Sequence, residues 1–210
     1  MIGKIKLIIL DLDGVLINSK LNMDYSWRQV KKKFSIKKNF SEYFKHVGYP
    51  FFEILNKLNI KKNQKDIFNC YNYFSVFYSN KIKLYKSVIT ELNYLKKKNI
   101  KLAIVTSKNR KRTVLFLKRF KIPISNIVCA SKGIKGKPNP SQINKALKNA
   151  NVKRKNTVYV GDMPVDYLTA KNAKLKFVFA QYGFGGKKKR YKYRIKDFKN
   201  LRKVCNIKNN

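Results

Sequence analysis

Two short segments hold four of the ten carboxylates in this chain. Asp11 and Asp13 stand in DLDG, and Asp162 and Asp166 stand in GDMPVD. Because fifty Lys and Arg oppose only ten Asp and Glu, acidic residues that remain clustered require a chemical reason. Carboxylates ligate divalent cations, act as nucleophiles and transfer protons. These two segments are therefore the predicted centre of the chemistry.

Both acidic segments follow apolar runs that are typical of buried strands. Asp11 comes directly after residues 6–10 (KLIIL), and Asp162 comes shortly after residues 158–160 (VYV). Parallel strands in open α/β sheets bind ligands at their carboxyl ends. We therefore expect these acids to lie at the ligand-binding edge of a sheet.

Two further polar residues are predicted at the same edge. Thr106 ends the apolar run of residues 102–105, and Lys137 lies in the loop GKPNP before a helical pattern. With the two acidic segments, these residues place four separate loops at one edge of the sheet.

Apolar runs alternate with helical patterns over most of the chain. Val88, Leu92 and Leu95 recur at the i, i+4, i+7 spacing of an amphipathic helix. Near-continuous apolar runs are typical of parallel strands covered on both faces. The alternation predicts an α/β fold, a doubly wound (Rossmann-like) parallel sheet with right-handed crossovers. The predicted strands are residues 6–10, 102–105, 127–130, 158–160 and 177–180, with a last helix near residues 197–204.

Residues 21–83 break this alternation. They contain no clear buried strand, and apolar residues such as Ile67, Tyr71, Phe74 and Tyr78 recur at helical spacing. We therefore predict a small all-helical cap domain inserted after the first strand. The predicted boundaries are residues 1–17 and 84–210 for the α/β core domain and residues 18–83 for the cap domain.

The formal net charge of +40 raises a competing function. Strongly basic chains commonly bind nucleic acid or other polyanions. Here, however, Lys far outnumbers Arg and recurs along almost the whole chain, whereas nucleic-acid surfaces concentrate charge and favour Arg. We interpret most lysines, including the run at residues 187–190, as solvated, and expect only non-specific electrostatic binding of nucleic acid. A polyanion-binding protein remains the alternative from a different class.

The cysteines and the first apolar run indicate the expected compartment. Cys70, Cys129 and Cys205 are widely spaced and form no C-x-x-C pair, which is typical of free thiols in a reducing environment. Asp11 and Asp13 interrupt the apolar run near the start, so we predict no membrane association. We expect a cytoplasmic monomer or homodimer.

In their order along the chain, these motifs resemble those of the haloacid dehalogenase superfamily, in its phosphatase branch. They are DLDGVL at residues 11–16, Thr106 at a strand end, Lys137 followed by Pro, and GDMPVD at residues 161–166. The segment HVGYPFFEIL, residues 46–55, resembles the G-x-P element in the helical cap of phosphoglycolate-phosphatase-like members. The resemblance covers most of the chain.

The resemblance implies a role for each acidic residue. Asp11 would attack phosphorus and form an aspartyl phosphate, and Asp13 would protonate the leaving oxygen and later deprotonate water. Asp11, Asp162 and the backbone carbonyl of Asp13 would hold Mg²⁺. Asp166 would act on the metal through water, or would fix Lys137.

The resemblance also implies a phosphate-binding set and a reaction. Thr106, Ser107 and Lys137 would bind the phosphoryl oxygens and stabilise the transition state. The expected activity is Mg²⁺-dependent hydrolysis of a small phosphorylated metabolite, a phosphomonoester such as phosphoglycolate or a sugar phosphate. A phosphomutase like β-phosphoglucomutase and a pyrophosphatase of the same superfamily remain alternatives.

Overall fold

The computed structural model describes residues 4–131, 133–186 and 191–207. The basic run of residues 187–190, interpreted above as solvated, lies outside the described residues. The strands are β1 (Leu7–Leu10), β2 (Ile17–Asn18), β3 (Lys83–Leu84), β4 (Lys101–Thr106), β5 (Asn126–Cys129), β6 (Thr157–Gly161), β7 (Lys176–Ala180) and β8 (Tyr193–Ile195). The helices are α1 (Lys20–Phe34), α2 (Phe40–Phe44), α3 (Phe51–Lys57), α4 (Gln64–Phe77), α5 (Val88–Lys97), α6 (Arg110–Arg119), α7 (Ser141–Ala150), α8 (Pro164–Asn172) and α9 (Leu201–Val204).

Six strands form one parallel sheet in the order β5-β4-β1-β6-β7-β8. Strand β1 lies between β4 and β6, and all four of its residues are fully buried. Leu7 and Ile9 pack in one apolar cluster with α7 and α8, whereas Ile8 and Leu10 pack in another with α5, α6 and α9. This burial of both faces explains the uninterrupted apolar sequence of β1 and confirms the predicted α/β doubly wound fold.

The edge strand β8 was not predicted. Its sequence, YRI, has a half-buried, an exposed and a buried residue in turn, so it lacks the continuous apolar run used to identify the other strands. The helix expected near residues 197–204 is present as a short 3₁₀ turn, Phe198–Asn200, followed by α9.

Helices α1 to α4 all lie between β2 and β3. These two short strands pair antiparallel, with Ile17 opposite Leu84 and Asn18 opposite Lys83. The four helices form their own apolar cluster around Trp27, which is fully buried and stacks on a tyrosine of α2. We call residues 18–83 the helical insert. The helical character predicted for this segment is therefore present, and its division from the core as a separate domain stays a prediction.

The insert also packs on the core, because Met163 and Val165 belong to its apolar cluster. Both residues lie at the start of α8, within the acidic segment GDMPVD. The insert is thus seated directly over the carboxyl edge of the sheet. Within the described parts of the chain, no helix combines the length and the apolar composition that a bilayer crossing requires.

Candidate active site

Three adjacent strands bring the predicted site residues to one edge. Asp11 directly follows β1, Thr106 is the last residue of β4, and Asp162 directly follows β6. Lys137 lies in the loop between β5 and α7, and its Nζ is 2.7 Å from Oδ1 of Asp11. The convergence predicted for these loops is therefore present in the structure, while the chemical roles of the residues stay predictions.

Lys137 is fully buried between two carboxylates. Its Nζ donates to Oδ1 of Asp11 and to Oδ1 of Asp166, each at 2.7 Å. Burial alone would lower the pKa of Lys137, but the charges of Asp11 and Asp166 raise it above its ordinary value. Lys137 therefore stays a fixed positive charge against Asp11.

Asp166 links the lysine to the start of α8. Its Oδ2 accepts hydrogen bonds from the backbone N–H of Asp162 (3.2 Å) and of Met163 (3.0 Å), as expected of an acid in the first turn of a helix. The hydroxyl of Tyr159 donates to its Oδ1 at 2.9 Å. These contacts hold the carboxylate that binds Lys137, and the predicted role of Asp166 toward a metal stays a prediction.

Three buried carboxylates form a group suited to a divalent cation. Asp11, Asp162 and Asp166 each offer an oxygen within 4.8 Å of the others. Oδ2 of Asp162 accepts from the backbone N–H of Phe184 at 2.5 Å, but its Oδ1 is buried without a hydrogen-bond partner. A buried acceptor without a partner is costly, and Mg²⁺ prefers carboxylate oxygens. The residues present therefore fit Mg²⁺.

The protonation of these acids responds to their burial. Burial raises the pKa of Asp11 to about 7, although Lys137 acts in the opposite direction. Burial, followed by the charges of Asp166 and Asp11, raises the pKa of Asp162 well above its usual range. A bound cation would favour the ionised forms, because opposite charge lowers a carboxyl pKa.

The carboxylate of Asp13 is not a member of this group. Its Oδ1 accepts hydrogen bonds from the Ser19 hydroxyl and from Lys108, whose Nζ is 3.1 Å away. Asp13 is thus held apart from Asp11 by donors of its own. Contact between a metal and the backbone carbonyl of Asp13 stays a prediction.

Gly14 is required by the same geometry. It has φ +87°, and a Cβ at this position would lie 2.0 Å from Oδ2 of Asp162. Any other residue would therefore both strain the backbone and displace a proposed metal ligand.

A cavity of about 60 Å³ lies between the sheet edge and the helical insert. Asp11, Asp13 and Thr106 line it on the sheet side. The insert contributes mainly apolar and aromatic side chains, namely Met23, Tyr43, Val47, Tyr49, Phe51, Ile54, Phe68 and Tyr71. The site is therefore a small pocket with charged side chains on the sheet side and mainly apolar and aromatic side chains on the side of the insert.

The predicted G-x-P element lines this pocket through Gly48 and Tyr49. The backbone carbonyl of Gly48 accepts a hydrogen bond from the Ser107 hydroxyl at 2.7 Å. A Cβ on Gly48 would lie 2.6 Å from Cγ1 of Val165, and one on Gly136 would lie 2.4 Å from Cγ of Pro50. This element therefore contacts both the start of α8 and the loop of Lys137. The hydroxyl of Ser107 binds the insert, and its predicted contact with phosphate remains a prediction.

Comparison with known proteins agrees with this geometry. Residues 8–180 match the model of the family described as haloacid dehalogenase-like hydrolase. The chain belongs to the haloacid dehalogenase-like hydrolase family. The match spans β1 to β7 and so includes every motif residue described above.

Relatives of this haloacid dehalogenase-like protein carry more specific names. Pyrophosphatase PpaX from Halalkalibacterium halodurans is 32% identical over 107 residues, which cover 50% of each chain. A pyrophosphatase PpaX candidate from Caldanaerobacter subterraneus is 28% identical over 208 residues, covering 96% of this chain and 94% of that one. The crystal structure of a phosphoglycolate phosphatase candidate from Lactobacillus plantarum superposes with a TM-score of 0.87 at 21% identity, covering 96% and 99% of the two chains.

Sequence reasoning missed two cations of this haloacid dehalogenase-like site. Lys108 and Arg112 are buried and line the cavity. Burial lowers the pKa of Lys108 to about 8, although the charge of Asp13 acts in the opposite direction. Neither residue stands out in a chain with fifty Lys and Arg. The position of Lys108 two residues after Thr106 was the one available signal.

Proposed function

We propose that this protein is a Mg²⁺-dependent phosphohydrolase that acts on a small phosphomonoester through an aspartyl-phosphate intermediate. The observation that carries the proposal is the position of Asp11. It lines the pocket between the sheet edge and the helical insert, is fixed by a buried lysine and belongs to a carboxylate group suited to Mg²⁺. The metal would be held by Asp11, Asp162 and the backbone carbonyl of Asp13, with Asp166 supporting it, and it would neutralise the charge of the phosphoryl group.

Asp11 acts as the nucleophile in this proposal. One of its carboxylate oxygens forms a bond to phosphorus as the bond from phosphorus to the ester oxygen breaks. Lys137 holds Asp11 through Oδ1 and favours its ionised form. The same ammonium group, together with the Thr106 hydroxyl and the Ser107 loop, binds phosphoryl oxygens as their charge shifts in the transition state.

Asp13 transfers the protons. It gives a proton to the departing ester oxygen and then takes one from the water that attacks the aspartyl phosphate. Ser19 and Lys108 both donate to its Oδ1, so we assign proton transfer to Oδ2. The two donors fix the carboxylate at a position separate from the nucleophile.

The size of the pocket supports a small substrate. A cavity of about 60 Å³ favours a small substrate, and a macromolecule would not enter it with the insert in place. Pyrophosphate is the second candidate, because relatives matched over half and over nearly all of this chain carry the pyrophosphatase name. Its hydrolysis would use the same nucleophile and the same acid.

Phosphate release from a panel of small phosphomonoesters and from pyrophosphate tests the proposal. Each substrate is assayed with Mg²⁺ and with excess chelator. We expect release that requires Mg²⁺ and is fastest with substrates of two or three carbons or with pyrophosphate. Release that is equally fast in chelator, or no release from any substrate, would contradict the proposal.

A further inference from the structure

Three Lys or Arg side chains are buried among the described residues, and they differ in their partners. Lys137 contacts Asp11 and Asp166, and Lys108 contacts Asp13. Arg112, on α6, has no carboxylate within 4.0 Å in the described parts of the chain, although it is only 8% exposed. A buried charge without a counter-ion is strongly unfavourable.

The groups that contact Arg112 directly are polar and aromatic, but neutral. One terminal nitrogen, Nη1, donates to Oδ1 of Asn72 on α4 at 3.0 Å, and the guanidinium lies 5.4 Å from the ring centre of Tyr71. Its Nε is buried without a hydrogen-bond partner. Arg112, Asn72 and Tyr71 all line the cavity. The cavity is therefore the place from which a counter-ion can reach the Arg112 side chain.

Arg112 lies on the leaving-group side of the proposed reaction. It lines the same cavity as Lys108, and Lys108 contacts Asp13, the proposed acid for the leaving oxygen. The transferred phosphoryl group would instead sit against Asp11 and Lys137. An anion at Arg112 is therefore a second group on the substrate, beyond the ester oxygen.

We propose that Arg112 is a specificity-determining residue that binds a second anionic group, a carboxylate or a phosphoryl group, on the leaving group of the substrate. The planar guanidinium matches either anion with two parallel hydrogen bonds. The inference rests on the proposed function and narrows its substrate class to small phosphorylated compounds with two anionic groups. The volume of the cavity restricts the separation of the two groups to a short spacer.

The test compares substrates that differ only in the second anion. Phosphoglycolate and ethyl phosphate form the first pair, because they have a two-carbon leaving group with and without a carboxylate. Pyrophosphate and methyl phosphate form the second pair, with and without a phosphoryl group on the leaving side. The quantity measured is the ratio of kcat/KM within each pair, for wild type, Arg112→Met and Arg112→Lys. Lys111→Met is the matched control, because Lys111 is the exposed neighbour of Arg112 on the same helix.

In the pair that contains the natural kind of leaving group, we expect Arg112→Met to lower the ratio of kcat/KM about 30-fold. This is the size expected for the loss of a charged hydrogen-bonded contact. Arg112→Lys keeps the charge without the planar fork, so its ratio falls less. Lys111→Met keeps the wild-type ratio. An unchanged ratio in Arg112→Met, or an equal loss on both members of each pair, would overturn the inference.

Binding and unfolding measurements separate this inference from the proposed reaction. Calorimetry measures the binding of 3-phosphonopropionate and propylphosphonate, neither of which can be hydrolysed. Arg112→Met should weaken the binding of 3-phosphonopropionate more than that of propylphosphonate. If this difference in binding is found but the wild type shows no turnover, the proposed function is wrong and the anion site stands. If the wild type shows turnover but the difference in binding is absent, the anion site is wrong and the proposed function stands. Arg112→Met should unfold at or above the wild-type temperature, because it removes a buried cation without a counter-ion; a lower temperature together with equal losses would make Arg112 structural.

Discussion

The two walls of the pocket differ in the kind of side chain that lines them. All four charged side chains that line it, Asp11, Asp13, Lys108 and Arg112, come from the sheet side. The side chains lining the wall formed by the helical insert are apolar, aromatic or, at Asn72, a neutral amide. The core therefore supplies the charged groups, and the insert supplies apolar area.

This difference determines how well each wall tolerates substitution. The sheet side depends on individual contacts of 2.7 to 3.1 Å between buried charges, where one displaced atom leaves a charge without a partner. The insert depends on summed packing among many rings, which tolerates a change at one of them. Substitutions on the sheet side should thus alter the reaction, and substitutions on the insert should mainly alter binding.

The largest effect is expected from Asp11→Asn. An amide cannot attack phosphorus as a carboxylate does, so kcat should fall by about 10⁴-fold or more. Asp66→Asn is the matched control, because Asp66 is an exposed acid in the first turn of α4. Steady-state phosphate release measures both. Substantial turnover by Asp11→Asn would show that the charged wall does not contain the nucleophile.

Gly14→Ala tests the atomic precision of the charged wall. Its Cβ would lie 2.0 Å from Oδ2 of Asp162, and Gly133, with a similar positive φ of +81°, has nothing within 4 Å of the same position. Both substitutions strain the backbone, but only Gly14→Ala displaces a proposed metal ligand. We expect a loss of about 100-fold in kcat/KM, as for a displacement of about 1 Å in an active site.

Gly133→Ala is the control for that substitution. It should share the loss of stability, of about 1 to 2 kcal/mol, while keeping activity within about threefold, because no contact is made. Unfolding and phosphate release are measured on both variants. Equal activities would mean that the contact with Asp162 does not matter.

The pH dependence of metal-free stability tests the charge cluster itself. Burial raises the pKa of Asp11 from an ordinary value of 3.8 to about 7 in the folded state. A raised folded-state pKa contributes stability below the unfolded value, and that contribution is lost as the pH rises through about 7. Asp162 acts in the same direction. Metal-free protein should therefore lose this contribution between about pH 4 and pH 8.

Asp11→Asn isolates this effect, because asparagine does not titrate. In chelator, the Tm of Asp11→Asn minus that of the wild type should increase by about 5 °C from pH 5.5 to pH 8.0. Added Mg²⁺ should reduce the difference at pH 8.0 by stabilising the ionised wild-type cluster. The same difference at both pH values would contradict the raised pKa of Asp11.

The smallest effect is expected on the insert. Phe68 lines the pocket and contacts the rings of Phe51 and Phe52, with ring centres 5.5 and 5.1 Å away. Phe68→Leu should raise KM about threefold, through the loss of some apolar contact area, and should leave kcat within about twofold. Phe77→Leu, on the exposed side of the same helix, is its control and should change neither. If Phe68→Leu lowers kcat by a larger factor than it raises KM, the expectation that the insert mainly affects binding is wrong.

The same division explains what could be predicted from the sequence. Buried parallel strands require continuous apolar runs, so β1, β4 and β6 were located, and with them Asp11, Thr106 and Asp162 at their carboxyl ends. Lys137 was found because its loop follows a family motif. Lys108 and Arg112 were missed because their importance depends on burial, which a single lysine or arginine in so basic a chain does not reveal.

The insert was predictable only in character. Helical spacing indicated its helices, but the antiparallel pair of β2 and β3 is two residues long on each side, too short for any periodicity. The seating of Gly48 against Val165 and Ser107 depends on the approach of two segments far apart in sequence. Such packing has no local sequence pattern.

The most direct test of the central claim is to trap the phosphorylated enzyme. Wild type, Asp11→Asn and Asp13→Asn are mixed with Mg²⁺ and the best substrate, quenched in acid within one turnover and analysed by peptide mass spectrometry. We predict a hydroxylamine-sensitive phosphoryl group on Asp11 in the wild type and none at this position in Asp11→Asn. Any phosphoryl group formed by Asp13→Asn should persist longer, because the base for the second step is gone. Turnover without a phosphoryl group on Asp11, or with one on a different residue, would contradict the mechanism.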